Sequence, residues 1–132
     1  MGNNNFIVEK PGKFNFEKTV DILVSEAGKR EWSVPAVHDL KQSLAKSGKT
    51  VMPVKVIEIC KPEYSGKMLE LSNERIVSVM MPCRISVYEK EDGKTYISLL
   101  DGSKLASGLP ENIASVMKAA SDETFDLVKV VL

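Results

Sequence analysis

The side chains whose type and setting could carry chemistry are His38, Glu58, Cys60, Cys83 and Arg84. His38 is the single histidine of the chain and is followed by Asp39. A neutral imidazole is the natural proton carrier near pH 7. Glu58 and Cys60 close the run VIEIC, and Cys83 and Arg84 follow Pro82 in MMPCRISVYE. A thiol with an imidazole base and an orienting carboxylate makes a nucleophile. In that reading Cys60 or Cys83 attacks, His38 takes the proton and Glu58 orients the ring. As metal ligands the same residues are unconvincing, because none shows C-x2-C or H-x3-H spacing, and no metal is predicted. No nucleotide-binding glycine loop, hydrolase elbow or paired-histidine helix occurs, so no cofactor is predicted.

Plainer readings compete residue by residue. Strand alternation puts Cys83 with Ile85 and Val87, which suits a buried thiol acting as a small hydrophobe. Arg84, Ser86 and Tyr88 then take the opposite face, where the guanidinium would be solvated or would meet an acid or a bound anion. Glu58 shares its side of a strand with Val54, Val56 and Cys60, and needs a partner or exposure at the strand end. His38 reads equally as a surface or capping residue.

The elements that must position these residues are legible from pattern. NFIVEK is a strand closed by Pro-Gly. FNFEKTVDILVSEAG is an amphipathic helix with Asn15 as its N-cap, apolar Phe16, Val20, Leu23 and Ala27, and Gly28 as its stop. REWSV reads as a short strand. PAVHDLKQSLAKSG reads as a second helix carrying Val37, Leu40 and Leu44, with His38 near its start. VMPVKVIEIC is a strand rich in valine and isoleucine. PEYSGKMLELS opens with a proline suited to a first helical turn, with Met68, Leu69 and Leu71 as its apolar contacts. RIVSVMM and CRISVYEKE read as strands, or one strand broken at Pro82. Asp-Gly in EDGK marks a hairpin whose return strand is TYISLL. The tail from LPENIASV onward keeps helical period, and SDET reads as a cap splitting it into two helices in series. Together these predict an α+β fold: an antiparallel sheet covered by helices on one face.

Bulk properties narrow the function classes. The 132 residues fit one domain, assigned to residues 6–132, with the asparagine run in residues 1–5 as a flexible tail. Lysine plus arginine total 18, as do aspartate plus glutamate, which gives no electrostatic reason to expect nucleic acid or an anionic membrane. Low net charge also favours self-association. No apolar run is long enough for a membrane span, and MGNNNF resembles neither a signal peptide nor a myristoylation site. The expected location is the cytoplasm, with both cysteines reduced.

VHDLKQSL, VIEICKPEYSGKML and MMPCRISVYEKEDGKTYISLL together resemble the domain-of-unknown-function family numbered 302. PCRISVYE, with the His-Asp pair and EIC-x-P ahead of it, is the most specific part. Lys61 stands where that family commonly has asparagine. The resemblance implies a TBP-like α+β sheet with packed helices, often as a dimer. It also implies that His38, Glu58, Cys60, Cys83 and Arg84 form one neighbourhood, and it supplies no activity. Two functions follow as expectations. The first is a homodimeric module that binds or senses a small polar or anionic ligand near Arg84. The alternative is a thiol-dependent enzyme or redox protein using Cys60 or Cys83 with His38.

Overall fold

The computed structural model describes residues 6–70 and 72–132. The assignment of residues 1–5 as a tail, and the contact expected of Leu71, lie outside these described residues. Five strands, β1 (Ile7–Pro11), β2 (Ser33–Asp39), β3 (Val54–Cys60), β4 (Cys83–Glu89) and β5 (Thr95–Leu100), form one sheet in the order β1-β5-β4-β3-β2. Every neighbouring pair is antiparallel. Between and after the strands run α1 (Phe16–Lys29), α2 (Leu40–Ala45), α3 (Pro62–Leu69), α4 (Gly102–Leu105) and α5 (Glu111–Val128). The fold class is α+β, as the pattern predicts.

Alternation on β3, β4 and β5 sends Ile57, Ile59, Ile85, Val87, Ile97 and Leu99 to one face, where all are buried. They meet Leu23 and Ala27 of α1 and Leu127 and Val128 of α5 in a single apolar cluster. Burying each such side chain contributes about 1.5–3 kcal/mol, which is why the helices settle on this face. The opposite face carries His38, Val56, Glu58, Arg84, Ser86, Tyr88, Tyr96 and Ser98, none of them fully buried. The Asn15 cap forms as predicted, its Oδ1 accepting from Lys18 N at 2.8 Å. The Asp-Gly hairpin forms too, with Gly93 at φ +78°, a value glycine adopts without steric penalty.

Three elements differ from the sequence reading. PAVHD is not the start of the second helix; it continues β2, with Ala36, Val37, His38 and Asp39 paired to Glu58, Ile57, Val56 and Lys55. The helical spacing of Val37, Leu40 and Leu44 falls on residues that stay exposed, so it buries nothing. Asp39 instead caps the six-residue α2, accepting from Gln42 N at 2.9 Å. RIVSVM is a 3-10 segment (Ser72–Met80), not a strand. Extending β4 backwards past Pro82 would need partners on both sides, but β3 and β5 have by then turned into α3 and α4. Val77 of this segment turns fully inward, while Ile76 and Val79 remain exposed. Lastly, α5 is one continuous helix through SDET. Ser121 and Thr124 are buried there: Ser121 Oγ accepts from Gly102 N at 2.9 Å, and Thr124 Oγ1 donates to the Ala120 carbonyl at 2.9 Å. Their hydroxyls are used for packing and back-bonding, so neither acts as a cap.

Candidate functional site

The sheet divides the five candidate residues into two groups. His38, Glu58 and Arg84 meet on the open face. Glu58 pairs directly with Arg84 across the β3–β4 ladder and with Ala36 across β2–β3, which puts His38 on the diagonal. His38 Nε2 and Glu58 Oε2 are 3.0 Å apart. Arg84 Nε stands 3.9 Å from the same oxygen. The carboxylate is the most enclosed of the three, its side chain 18% exposed against 49% for His38 and 46% for Arg84. The partner that Glu58 requires among the valines is therefore this pair of bases.

Cys83 faces the other way. It opens β4 opposite Ile59 and packs against the apolar core. Burial pushes its thiol above the ordinary value, the proximity of Cys60 adds to the rise, and Arg84 offsets part of it. Cys60 closes β3, and its Sγ donates to Ser65 Oγ of α3 at 3.6 Å. Both cysteines are free. They share the wall of a small cavity of about 40 Å³ with Met68 and Met81. A second cavity of about 90 Å³ borders it, with Met68, Met80, Met81, Met117 and Cys83 in its wall and Arg84 as its one charged residue. Four of the six methionines of the chain thus surround the start of β4. The expected single neighbourhood is divided by the plane of the sheet. The imidazole lies on the open face and the Cys83 thiol on the helix face, so His38 does not reach that thiol as a base. Among the described residues no group of three or more His, Cys, Asp or Glu could hold a metal ion.

One polar cluster beside the thiols escaped the sequence reading. Glu123 of α5 accepts from Trp32 Nε1 at 3.0 Å, from Lys61 Nζ and from Tyr64 OH. Burial alone would raise the Glu123 carboxyl, but these hydrogen bonds outweigh it and hold the group below its ordinary value. The bond to Glu123, with burial, pushes the Tyr64 hydroxyl up to about 12. Lys61 also lies over the Trp32 ring, 5.4 Å from its centroid. Lys61, Tyr64 and Trp32 line the same cavity as the two thiols. The only hint was Lys61 itself at the exit from VIEIC; nothing local marks Glu123, whose partners are 59 to 91 residues away.

A parallel arrangement ties β1 to β4 on the open face. Glu9 accepts from Tyr88 OH and from Lys90 Nζ, the latter at 2.7 Å. Burial first, and then the bond to Glu9, push the Tyr88 hydroxyl up to about 12. Tyr88 and Tyr96 stack with ring centroids 6.3 Å apart.

No helix among the described residues is long and apolar enough to cross a membrane. Comparison with known proteins finds no match among those with a curated description. The crystal structure of an uncharacterized conserved DUF302 protein from Bacillus stearothermophilus is similar, with a TM-score of 0.85 over 96% of this chain and 98% of that one. At 16% identity the likeness establishes the fold alone. The family model described as "Domain of unknown function DUF302" matches residues 8–129, which include both strand-end cysteines and the open-face trio, and the chain belongs to that family.

Proposed function

We propose that this protein is a homodimeric module that binds or senses a small anionic ligand with an apolar body. One observation carries the reading: the cavity at the start of β4 is apolar and rich in methionine, and Arg84, the one charged residue in its lining, holds its guanidinium on the adjoining open face of the sheet. Methionine side chains are flexible and polarizable, and they adapt to ligands of varied shape. A short-chain carboxylate would place its body among Met68, Met80 and Met117 and its charge at the cavity mouth, where Arg84 would turn from the open face around the start of β4 to meet it. Arg84 is only loosely held by Glu58, at 3.9 Å, so its donors can serve a carboxylate in bidentate fashion. Two unbridged cysteines suit the reducing cytoplasm as the place where it acts.

The second copy would cover the open sheet face. A two-fold interface pairs a patch with itself, so a charged patch must carry both signs to be self-complementary. This face sets Glu9 and Glu58 against Lys90, His38 and Arg84, with the small Ser86 and Ser98 paired at its centre. Sedimentation equilibrium should give twice the chain mass, and Ser86→Arg should return the monomer; a monomeric wild type removes this part of the reading. For the ligand, a thermal-shift series of carboxylates from acetate to octanoate tests the proposal. A ligand at about 100 times its Kd stabilises the fold by about 2.7 kcal/mol. The shift should grow with chain length until the cavity is filled and vanish in Arg84→Ala. No shift across the series, or an equal shift in Arg84→Ala, defeats it.

A further inference from the structure

We propose that the paired thiols at the end of β3 and the start of β4 form a binding site for a soft monovalent metal ion, Cu(I). The inference goes beyond the carboxylate reading and does not use Arg84. Its first support is topology. Ile59 is the ladder partner of Cys83, so Cys60, the last residue of β3, lies one residue along the neighbouring strand, and there its Sγ reaches Ser65 Oγ, a residue of the same cavity wall as Cys83. Adjacent strands lie about 4.8 Å apart and rise about 3.4 Å per residue, so the two backbones are within about 6 Å of each other. Both cysteines line one cavity, and the nearness of Cys60 adds to the rise of the Cys83 thiol.

The second support is the composition of the surrounding wall. Met68 and Met81 line that same cavity, and Met80 and Met117 line the adjoining one. Thiolates and thioethers are soft ligands and select Cu(I) over harder ions. Thioethers add no charge, which matters in so apolar a space. Cu(I) with one thiolate is neutral. With two thiolates the site carries a single negative charge, and the one cationic residue in the cavity wall is Lys61, which is paired with Glu123. Each thiol that coordinates loses its proton to solvent, and one S–Cu bond replaces one S–H bond with no change in oxidation state.

The third support is what the site does not provide to other metals. Zn(II) sites are built from four ligands drawn from Cys, His and carboxylates, or three with an open position. Among the described residues two such ligands meet in this cavity wall; His38 and Glu58 lie on the opposite face of the sheet, and the Glu123 carboxylate is taken by Lys61, Tyr64 and Trp32. A divalent ion would remain short of both ligands and negative charge.

The test is an anaerobic titration of the full chain with Cu(I) against a competing chelator, followed by thiolate-to-copper absorption in the ultraviolet. One copper per chain should resist the chelator, and X-ray absorption of that complex should show sulfur scatterers only. Cys60→Ser and Cys83→Ser should each weaken retention by about 100-fold or more, and Met81→Leu by about 10-fold, since supporting groups tune affinity within about 10–100-fold. Zn(II) should not displace the copper. Failure to retain copper overturns the proposal, as does nitrogen or oxygen in the coordination shell of the wild type. Equal retention by the Cys60→Ser/Cys83→Ser double variant overturns it too. The scattering measurement needs no variant and so stands even where a substitution harms folding. Copper binding by Arg84→Ala, together with carboxylate binding by Cys60→Ser, separates this site from the proposed ligand function.

Discussion

Glu123→Ala should be among the most damaging single substitutions outside the apolar core. The carboxylate accepts from three side chains on separate segments: Trp32 ahead of β2, Lys61 after β3 and Tyr64 in α3. Removing it leaves an indole N–H, an ammonium and a phenol without their acceptor. Hydrogen bonds to a charged group contribute about 1.5–3 kcal/mol each. Partial exposure, 27% for Glu123 and 15% for Lys61, and shared geometry reduce the sum. We expect a loss of about 2–4 kcal/mol, or about 8–16 °C in Tm for a chain of this size. Glu123→Gln keeps an acceptor oxygen but not the charge, and should cost about half as much. Urea denaturation of the two variants gives the numbers. The pH dependence supplies a second readout. Folding holds this carboxyl below its ordinary value of 4.5. Its contribution is therefore complete above pH 4.5 and is lost as pH falls through the lower, folded-state value. Wild type should lose this increment on acidification, and Glu123→Ala should not. A cost below about 0.5 kcal/mol, the usual level for surface substitutions, with an unchanged acid profile, would show that the cluster holds nothing together.

Three further outcomes are expected. Gly102→Ala places a Cβ 3.0 Å from both the Met117 carbonyl oxygen and Ser121 Cβ, and such overpacking should cost about 1–3 kcal/mol in urea denaturation; a neutral result would mean that α4 and α5 can separate freely. Ile85→Ala, at a fully buried position, should cost about 2–5 kcal/mol, whereas Ser86→Ala on the opposite face should stay within about 0.5 kcal/mol; similar costs would contradict the assignment of faces. Alkylation of Cys83 followed against pH in a Cys60→Ser background should show a midpoint above the ordinary thiol value of 9.0, because burial is the larger cause of the rise and survives that substitution. A midpoint at or below 9.0 would show that the thiol is more solvated than its packing indicates.

Local signals were enough wherever the chain needs only its own neighbours. Asn15 with its helix, Asp92-Gly93 with its hairpin, and the alternation of Ile85 and Val87 against Arg84 and Ser86 follow from capping, turn and pleat geometry, which act over a few residues. The α+β class follows from summing those elements, and the PCRISVYE and EIC-x-P stretches pointed to the family. Tertiary structure decided the rest because the competing options were locally equivalent. Val37, Leu40 and Leu44 have helical spacing, yet the ladder bonds offered by β3 outweigh it and carry His38 onto a strand. RIVSVM has strand composition, but the central position of β4 leaves it no partner. Sequence could choose which residues were capable of chemistry; only the sheet could sort them, since residues one step apart on a strand face opposite sides. That alternation joins Glu58 to His38 and Arg84 and turns Cys83 away from them toward the methionines, while the packing of α3 and α5 brings Cys60 to the same cavity wall and gives Glu123 partners from segments the chain order keeps far apart.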